Sequence, residues 1–204
     1  MNAARTTLKR LKIAAHAALI GVGIDIRRVR PDRVVLERTI FPELLRQGRD
    51  RILFVGCDWY TLHYHRLFPG REFWTLESNP SLARFGAPRH VVDSCERVAS
   101  HFAADSLDAI VCNGVYGFGL DTPEAVRRAI EGFHAVLRPG GLLVFGWNNV
   151  PANDPLGLDA ARPFAPLFRS VPFPPLGAAR FEVAGPSRHT YEFLVREPAG
   201  VSPP

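Results

Sequence analysis

The 204-residue chain, 47% hydrophobic and 22% charged, is long enough for one well-buried domain, too short for two comfortable ones and too apolar to default to disorder. Its formal charge of +5 is uneven: residues 1–33 carry eight basic side chains against Asp25 and Asp32, and the remainder is near neutral. That distribution, with no DNA- or RNA-binding motif, argues against a nucleic-acid partner.

The first element in chain order is "LKRLKIAAHAALIGVGI". Its apolar stretch over residues 13–24 is interrupted by His16, lacks a convincing cleavage site and is too short to span a bilayer. It reads as a basic amphipathic helix packed on the domain surface. The sharper alternative is peripheral contact of residues 1–33 with an anionic membrane face. Residues 1–50 are thus expected to form a basic helical extension, and 51–204 the main domain.

From residue 51 strands and helices alternate. "RILFVG" predicts a buried strand ending in glycine, "YTLHYHRLF" a helix, and "REFWTLE" a second strand. "NPSLARFG" predicts a short helix capped by Asn79, with Pro80 first and Gly86 last. "RHVVD" is a third strand, "SCERVASHF" a further helix and "LDAIVCNG" a fourth strand. "DTPEAVRRAIEGFHAVLRPGG" carries the clearest helix, capped by Asp121 or Thr122, with Val126, Ile130, Phe133 and Leu137 on its sheet-facing side. "LLVFGWN" is the fifth strand. A proline-rich stretch with one short helix near residues 158–168 follows, and "ARFEVAG" and "HTYEFLVRE" then form an antiparallel hairpin.

This order predicts a Rossmann-like α/β fold: a mostly parallel seven-stranded sheet, helices on both faces, and a C-terminal antiparallel hairpin. Ligands of such sheets bind beyond the carboxyl ends of the strands, where strand order reverses. Glu77 lies 21 residues after Gly56, where a carboxylate can hold a ribose diol.

Five β/α units followed by a hairpin resemble the class I S-adenosylmethionine-dependent methyltransferases over residues 51–196. The carrying motifs are "ILFVGC", "LESNP", "VVDS", "LDAIVCNGVYGFG" and "LRPGGLLVFGWN", in the family's order. The resemblance implies S-adenosylmethionine as cofactor, bordered by Gly56, Cys57, Asp58, Trp59, Tyr60, Glu77, Ser78, Asp93, Ser94, Asn113 and Gly114. It implies that Asp93 accepts from the adenine amine. Asn113, Tyr116, Asn148 and Asn149 are the candidate catalytic residues on the side of a small-molecule substrate, with Trp147 beside them and His189 a conceivable general base.

The glycine motif departs from the family. Phe54 stands where an acid is usual, and Asp58 and Tyr60 replace the second and third glycines. Asp58 can meet the methionine ammonium directly, and Trp59 or Tyr60 can face the sulfonium. Bulky side chains in this turn can also fill the cofactor's space, which would leave a noncatalytic scaffold with the basic N-terminus as its partner surface. A dinucleotide oxidoreductase would need G-x-G-x-x-G. His63 and His65 diverge on a helix, and the three cysteines lack metal-ligand spacing, so no metal is expected. Their sparse, odd count suits a reducing, cytoplasmic setting. Oligomeric state is not legible.

Overall fold

Ile52 and Phe54 face one side of the first strand, Leu53 and Val55 the other, and all four are buried. Such a strand needs cover on both faces. The computed structural model describes residues 30–158, 163–165 and 167–197, with isolated positions 11, 15 and 18. Most of the amphipathic helix expected over 8–24, its membrane contact, and most of the helix expected near 158–168 lie outside the described residues. Among those described, no helix is long and apolar enough to cross a membrane.

The sheet is built from β1 (Arg51–Val55), β2 (Glu72–Glu77), β3 (Arg89–Val92), β4 (Leu107–Asn113), β5 (Leu137–Asn148), β6 (Phe168–Ser170), β7 (Arg180–Glu182) and β8 (His189–Arg196). The spatial order is β3-β2-β1-β4-β5-β8-β6, with β7 also paired to β8. β1 to β5 are mutually parallel, and β8 runs antiparallel to β5, β6 and β7. The expected hairpin is present as β7–β8. Among the described residues the sheet has eight strands where seven were expected, because β6 emerges from the proline-rich stretch and pairs with the far half of β8.

One face is covered by α1 (residues 31–46). Its Leu36, Ile40, Phe41 and Leu44 pack with Phe54, Tyr64, Phe68 and Phe73. Its central turn, Leu36–Ile40, is π-helical and lies just ahead of Pro42, whose ring and missing N–H disfavour an uninterrupted α-helix. The other face is covered by α2 (Pro123–Val136). Its buried Val126, Ile130 and Phe133 follow helical spacing, and Thr122 caps it by accepting from the Ala125 N–H. The remaining expected helices are short 3-10 turns: Trp59–Thr61, Tyr64–Leu67, Pro80–Phe85 and Cys95–Ser100. The segment over residues 60–68 is rich in Tyr, His and Thr and too short for cooperative helix formation.

At the sheet's opposite end Asp108 ties three strand starts together. Its carboxylate accepts from the Asp50 and Arg51 N–H groups, each at 2.8 Å, and pairs with Arg138. Burial opposes the charge, but the two backbone donors and Arg138 outweigh it and hold the carboxyl below its usual range. A lowered folded value means this contribution is complete above the unfolded pKa of about 4 and is lost as pH falls through the folded one. Asp108→Asn should therefore lower unfolding free energy by about 2 kcal/mol at pH 7 and weaken the acid dependence below pH 4, read by denaturant titration. A change under about 0.5 kcal/mol would refute that role.

Candidate functional site

Beyond the carboxyl ends of β1 to β5 lies a cavity of about 430 Å³, inside the range of small-molecule sites. Its position is set by the strand reversal: the chain passes from β1 outward to β2 and β3, then returns to place β4 on β1's other side.

The floor is the turn after β1. Gly56 has φ +96°, and a Cβ there would lie 2.7 Å from Val115 Cγ2 and 2.9 Å from the Asn113 carbonyl oxygen. The glycine is thus required first by the close passage of the β4 exit. Past it, the Cys57 N–H donates to Glu77 Oε2 at 3.0 Å, and Glu77 Oε1 accepts from the Asn79 N–H at 2.8 Å. Glu77 therefore holds the tips of β1 and β2 together while lining the cavity. Burial, then the neighbouring Glu77 carboxylate, push the Cys57 thiol up to about 12, so it stays protonated.

The two replaced glycines have clear tasks. Asp58 starts a 3-10 turn, its carboxylate accepting from the Trp59 N–H at 2.8 Å, and it lines the cavity. Tyr60 is held by Arg33, whose guanidinium lies 4.8 Å from its ring centre and donates to its hydroxyl at 3.4 Å, and both residues line the cavity. Trp59 packs edge-on against Tyr60 and is absent from the cavity wall. Gly56, Asp58, Tyr60 and Glu77 all form part of the wall, so a cavity persists beside the two replacements.

Asp93 and Ser94 line the same end, at the exit of β3. Asp93 accepts from the Ser94 N–H at 2.7 Å, from Arg97 through both of its oxygens, and from His101 Nε2 at 2.7 Å. Those contacts, Arg97 first, hold its carboxyl well below the usual range. They fill the roughly four acceptor positions of a carboxylate. The adenine-amine contact expected of Asp93 is therefore already taken within the chain.

The other end is formed by Arg30, Asp32, Arg33, Asn113, Asn148 and His189. Asn113 is 2% exposed, and neither its amide nitrogen nor its oxygen has a hydrogen-bond partner. His189 is 3% exposed; its Nδ1 meets Asn148 Oδ1 at 2.8 Å, and its Nε2 has no partner. Gly146, between them on β5, makes room: a Cβ there would collide with Asn113 Oδ1 and lie 3.1 Å from His189 Nε2. Burial, with Arg33 and Arg30 nearby, outweighs Asp32 and pushes His189 down to about 4. A depressed histidine destabilises the fold in acid. The loss should begin below about pH 6.5 and reach about 3 kcal/mol near pH 4. His189→Gln should flatten that limb of the stability–pH curve, and an unchanged limb would count against it.

Tyr116 and Asn149 do not reach the cavity wall. Tyr116 is fully buried, donates to Asp154 at 2.5 Å and accepts from the Leu156 N–H, so it anchors the loop beneath the site. The Asn149 N–H donates to the Arg188 carbonyl beside β8. Trp147 is buried under Arg180. Sequence reasoning missed Arg30, Asp32 and Arg33, counted only as part of a basic N-terminus. It also missed Phe118, an exposed ring on the cavity rim.

No protein-family model and no curated protein matches the sequence. Solved structures do match the fold. The N-methyltransferase NodS from Bradyrhizobium japonicum WM9, in complex with S-adenosyl-L-homocysteine, aligns with a TM-score of 0.59 at 19% identity, over 80% of this chain and 88% of NodS. A TehB-like SAM-dependent methyltransferase from Corynebacterium glutamicum aligns with a TM-score of 0.57 at 17% identity, over 95% and 97% of the two chains. TrmN from Thermus thermophilus gives 0.58 at 16% identity, over 83% of this chain and 49% of TrmN. The fold is that of the class I S-adenosylmethionine-dependent methyltransferases. Within this methyltransferase fold the cavity occupies the expected end of the sheet, with Glu77 and Asp93 toward β2 and β3 and His189 toward β8.

Proposed function

We propose that this chain transfers a methyl group from S-adenosylmethionine to a small metabolite or a biosynthetic sugar or lipid intermediate. The observation that carries the reading is the cavity of about 430 Å³ beyond the strand ends, lined by Gly56, Asp58, Tyr60 and Glu77, in a chain of this fold. The residues suit an adenosyl sulfonium. Glu77 retains acceptor capacity for a ribose diol beside the backbone donors it already engages. Asp58 offers a negative charge to an ammonium. Leu82 and Ser94 border the adenine end, while Asp93 secures the tip of β3. Asn113 and Gly114 lie where the two reactants would meet.

The bound cofactor supplies an electrophilic methyl group on a positively charged sulfur. The chain's task is then alignment and exclusion of water. Asn148 holds His189 through Nδ1, and Asn113 lies buried at the end of β4. Three buried free thiols, Cys57, Cys95 and Cys112, suit a reducing cytoplasmic setting.

Isothermal titration of the full chain with S-adenosylhomocysteine tests the reading, with thermal unfolding as a second readout. At a ligand concentration of 100 Kd the fold should gain about 2.7 kcal/mol, and NAD should give no shift. Stabilisation by NAD alone would favour an oxidoreductase. No shift with either would favour the noncatalytic scaffold.

A further inference from the structure

We infer that the methyl acceptor is an anion, and that Arg30 takes its carboxylate or phosphate group at the cavity wall. The inference rests on the methyl-transfer reading and narrows its substrate class. Arg30 lines the cavity with 43% of its side chain exposed, so a ligand can reach it. Its root is fixed. The Arg30 carbonyl accepts from the Val34 N–H at 2.9 Å, the first hydrogen bond of α1, and Pro31 sets the helical φ that follows. Two residues on, the hydroxyl of Tyr191 on β8 donates to the Asp32 carbonyl at 2.8 Å. The start of α1 is thereby pinned to the last strand, and the guanidinium swings from a fixed point.

The surrounding charges leave Arg30 short of a partner. Among the described residues its side chain makes no hydrogen bond, and its one ion pair runs from Nε to Asp32 Oδ1 at 3.7 Å. Asp32 sits closer to Arg33, at 3.3 Å, with both of those side chains buried. That buried pair cancels, and Arg30 remains as the net charge. The other acids of the wall are engaged toward β1, β2 and β3. Asp93 is held by Arg97 and His101, Glu77 by the Cys57 and Asn79 N–H groups, and Asp58 by the Trp59 N–H. In the sequence, Arg27 and Arg28 stand just ahead of Arg30, opposed only by Asp25.

S-Adenosylmethionine has an anionic group of its own, the carboxylate of its amino-acid half. Arg33 is the nearer of the two arginines to that half. Its Nη2 reaches the Tyr60 hydroxyl on the turn that also carries Asp58, and lies 3.6 Å from where a Cβ on Gly114 would stand. Arg30 comes three residues earlier, within electrostatic reach of His189 on β8, three strands from β1. A group held by Arg30 therefore belongs to the second reactant.

A guanidinium is a planar fork that receives two oxygens of a carboxylate or phosphate at once. Asp32 faces the Nε edge from beyond hydrogen-bond distance, which leaves the terminal nitrogens for the ligand. Arg30 binds and aligns the acceptor, so its loss should appear in KM rather than kcat.

The test uses the full chain with S-adenosylmethionine labelled in its methyl group and a small-molecule cell extract. The extract is used untreated, after phosphatase and phosphodiesterase, or after carbodiimide coupling of its carboxylates to excess ethanolamine. Label should enter a product of the untreated extract and fall at least ~10-fold after one of the two treatments, which tells phosphate from carboxylate. For that acceptor Arg30→Gln should raise KM by ~30-fold, with kcat within ~3-fold and S-adenosylhomocysteine affinity within ~2-fold. Arg30→Lys should restore part of the loss, because it keeps the charge without the fork. Label that survives both treatments, a KM change under ~3-fold, or no transfer despite bound S-adenosylhomocysteine would each overturn the anionic acceptor at Arg30. So would a loss of S-adenosylhomocysteine affinity above ~10-fold in Arg30→Gln, which would give the arginine to the cofactor's carboxylate instead. Failure of S-adenosylhomocysteine to bind the unaltered chain would overturn the methyl-transfer reading.

Discussion

Gly56→Ala should lower unfolding free energy by about 3 kcal/mol and weaken S-adenosylhomocysteine binding at the same time. Two independent penalties combine. At φ +96° an L-residue is strained by about 1 kcal/mol or more. The added methyl would also lie 2.7 Å from Val115 Cγ2 and 2.9 Å from a carbonyl oxygen, an overpacking cost of about 1–3 kcal/mol. The Asn113 oxygen is backbone at the end of β4 and cannot rotate away. The turn must move instead, carrying the Cys57 N–H off Glu77. Denaturant midpoints of wild type and variant measure the first effect and calorimetry the second. A variant within about 0.5 kcal/mol of wild type would show that the turn has slack the coordinates deny.

Glu77→Gln should reduce S-adenosylhomocysteine affinity by about 100-fold, equivalent to about 2.7 kcal/mol. The carboxylate accepts from the Cys57 N–H on one oxygen and the Asn79 N–H on the other. An amide preserves the shape but presents N–H₂ to one of those donors, which turns an attraction into a conflict. It also removes the negative charge offered to the ribose. Stability should fall by only about 1–2 kcal/mol, because Glu77 sits at a strand tip and is half-buried. Calorimetry reads the affinity. A loss under about 3-fold would remove Glu77 from the site.

Much of this was legible from the residues. Short apolar runs mark the buried strands β1, β4 and β5, Thr122 with Pro123 marks the start of α2, and Glu77, 21 residues after Gly56, lines the same cavity as that glycine. Other features were hidden for physical reasons. β6 is three residues long and exists only because β8 offers it a free edge, so its sequence carries no strand period. The short turns after β1, β2 and β3 look helical because 3-10 and α turns share caps and prolines. Tyr116 lies two residues past Gly114, whose φ of +75° changes the chain direction, so strand alternation no longer assigns a face. Arg33 is more than 20 residues upstream of the cavity floor. Its role follows from the packing of α1, and no local motif announces it.

The two margins of the sheet have a consequence for the molecule in concentrated solution. One margin ends in the four-residue β3, the other in the three-residue segments β6 and β7, which divide the last strand between them. At the join, the Phe193 N–H donates to the Ala179 carbonyl, and its own carbonyl accepts from Val171, so no ladder rung is left vacant there. A neighbouring molecule seeking to continue the ladder meets fragments too short to register against. Self-templated strand addition, the ordinary route by which β-rich proteins turn into fibres, therefore finds little purchase on the native fold.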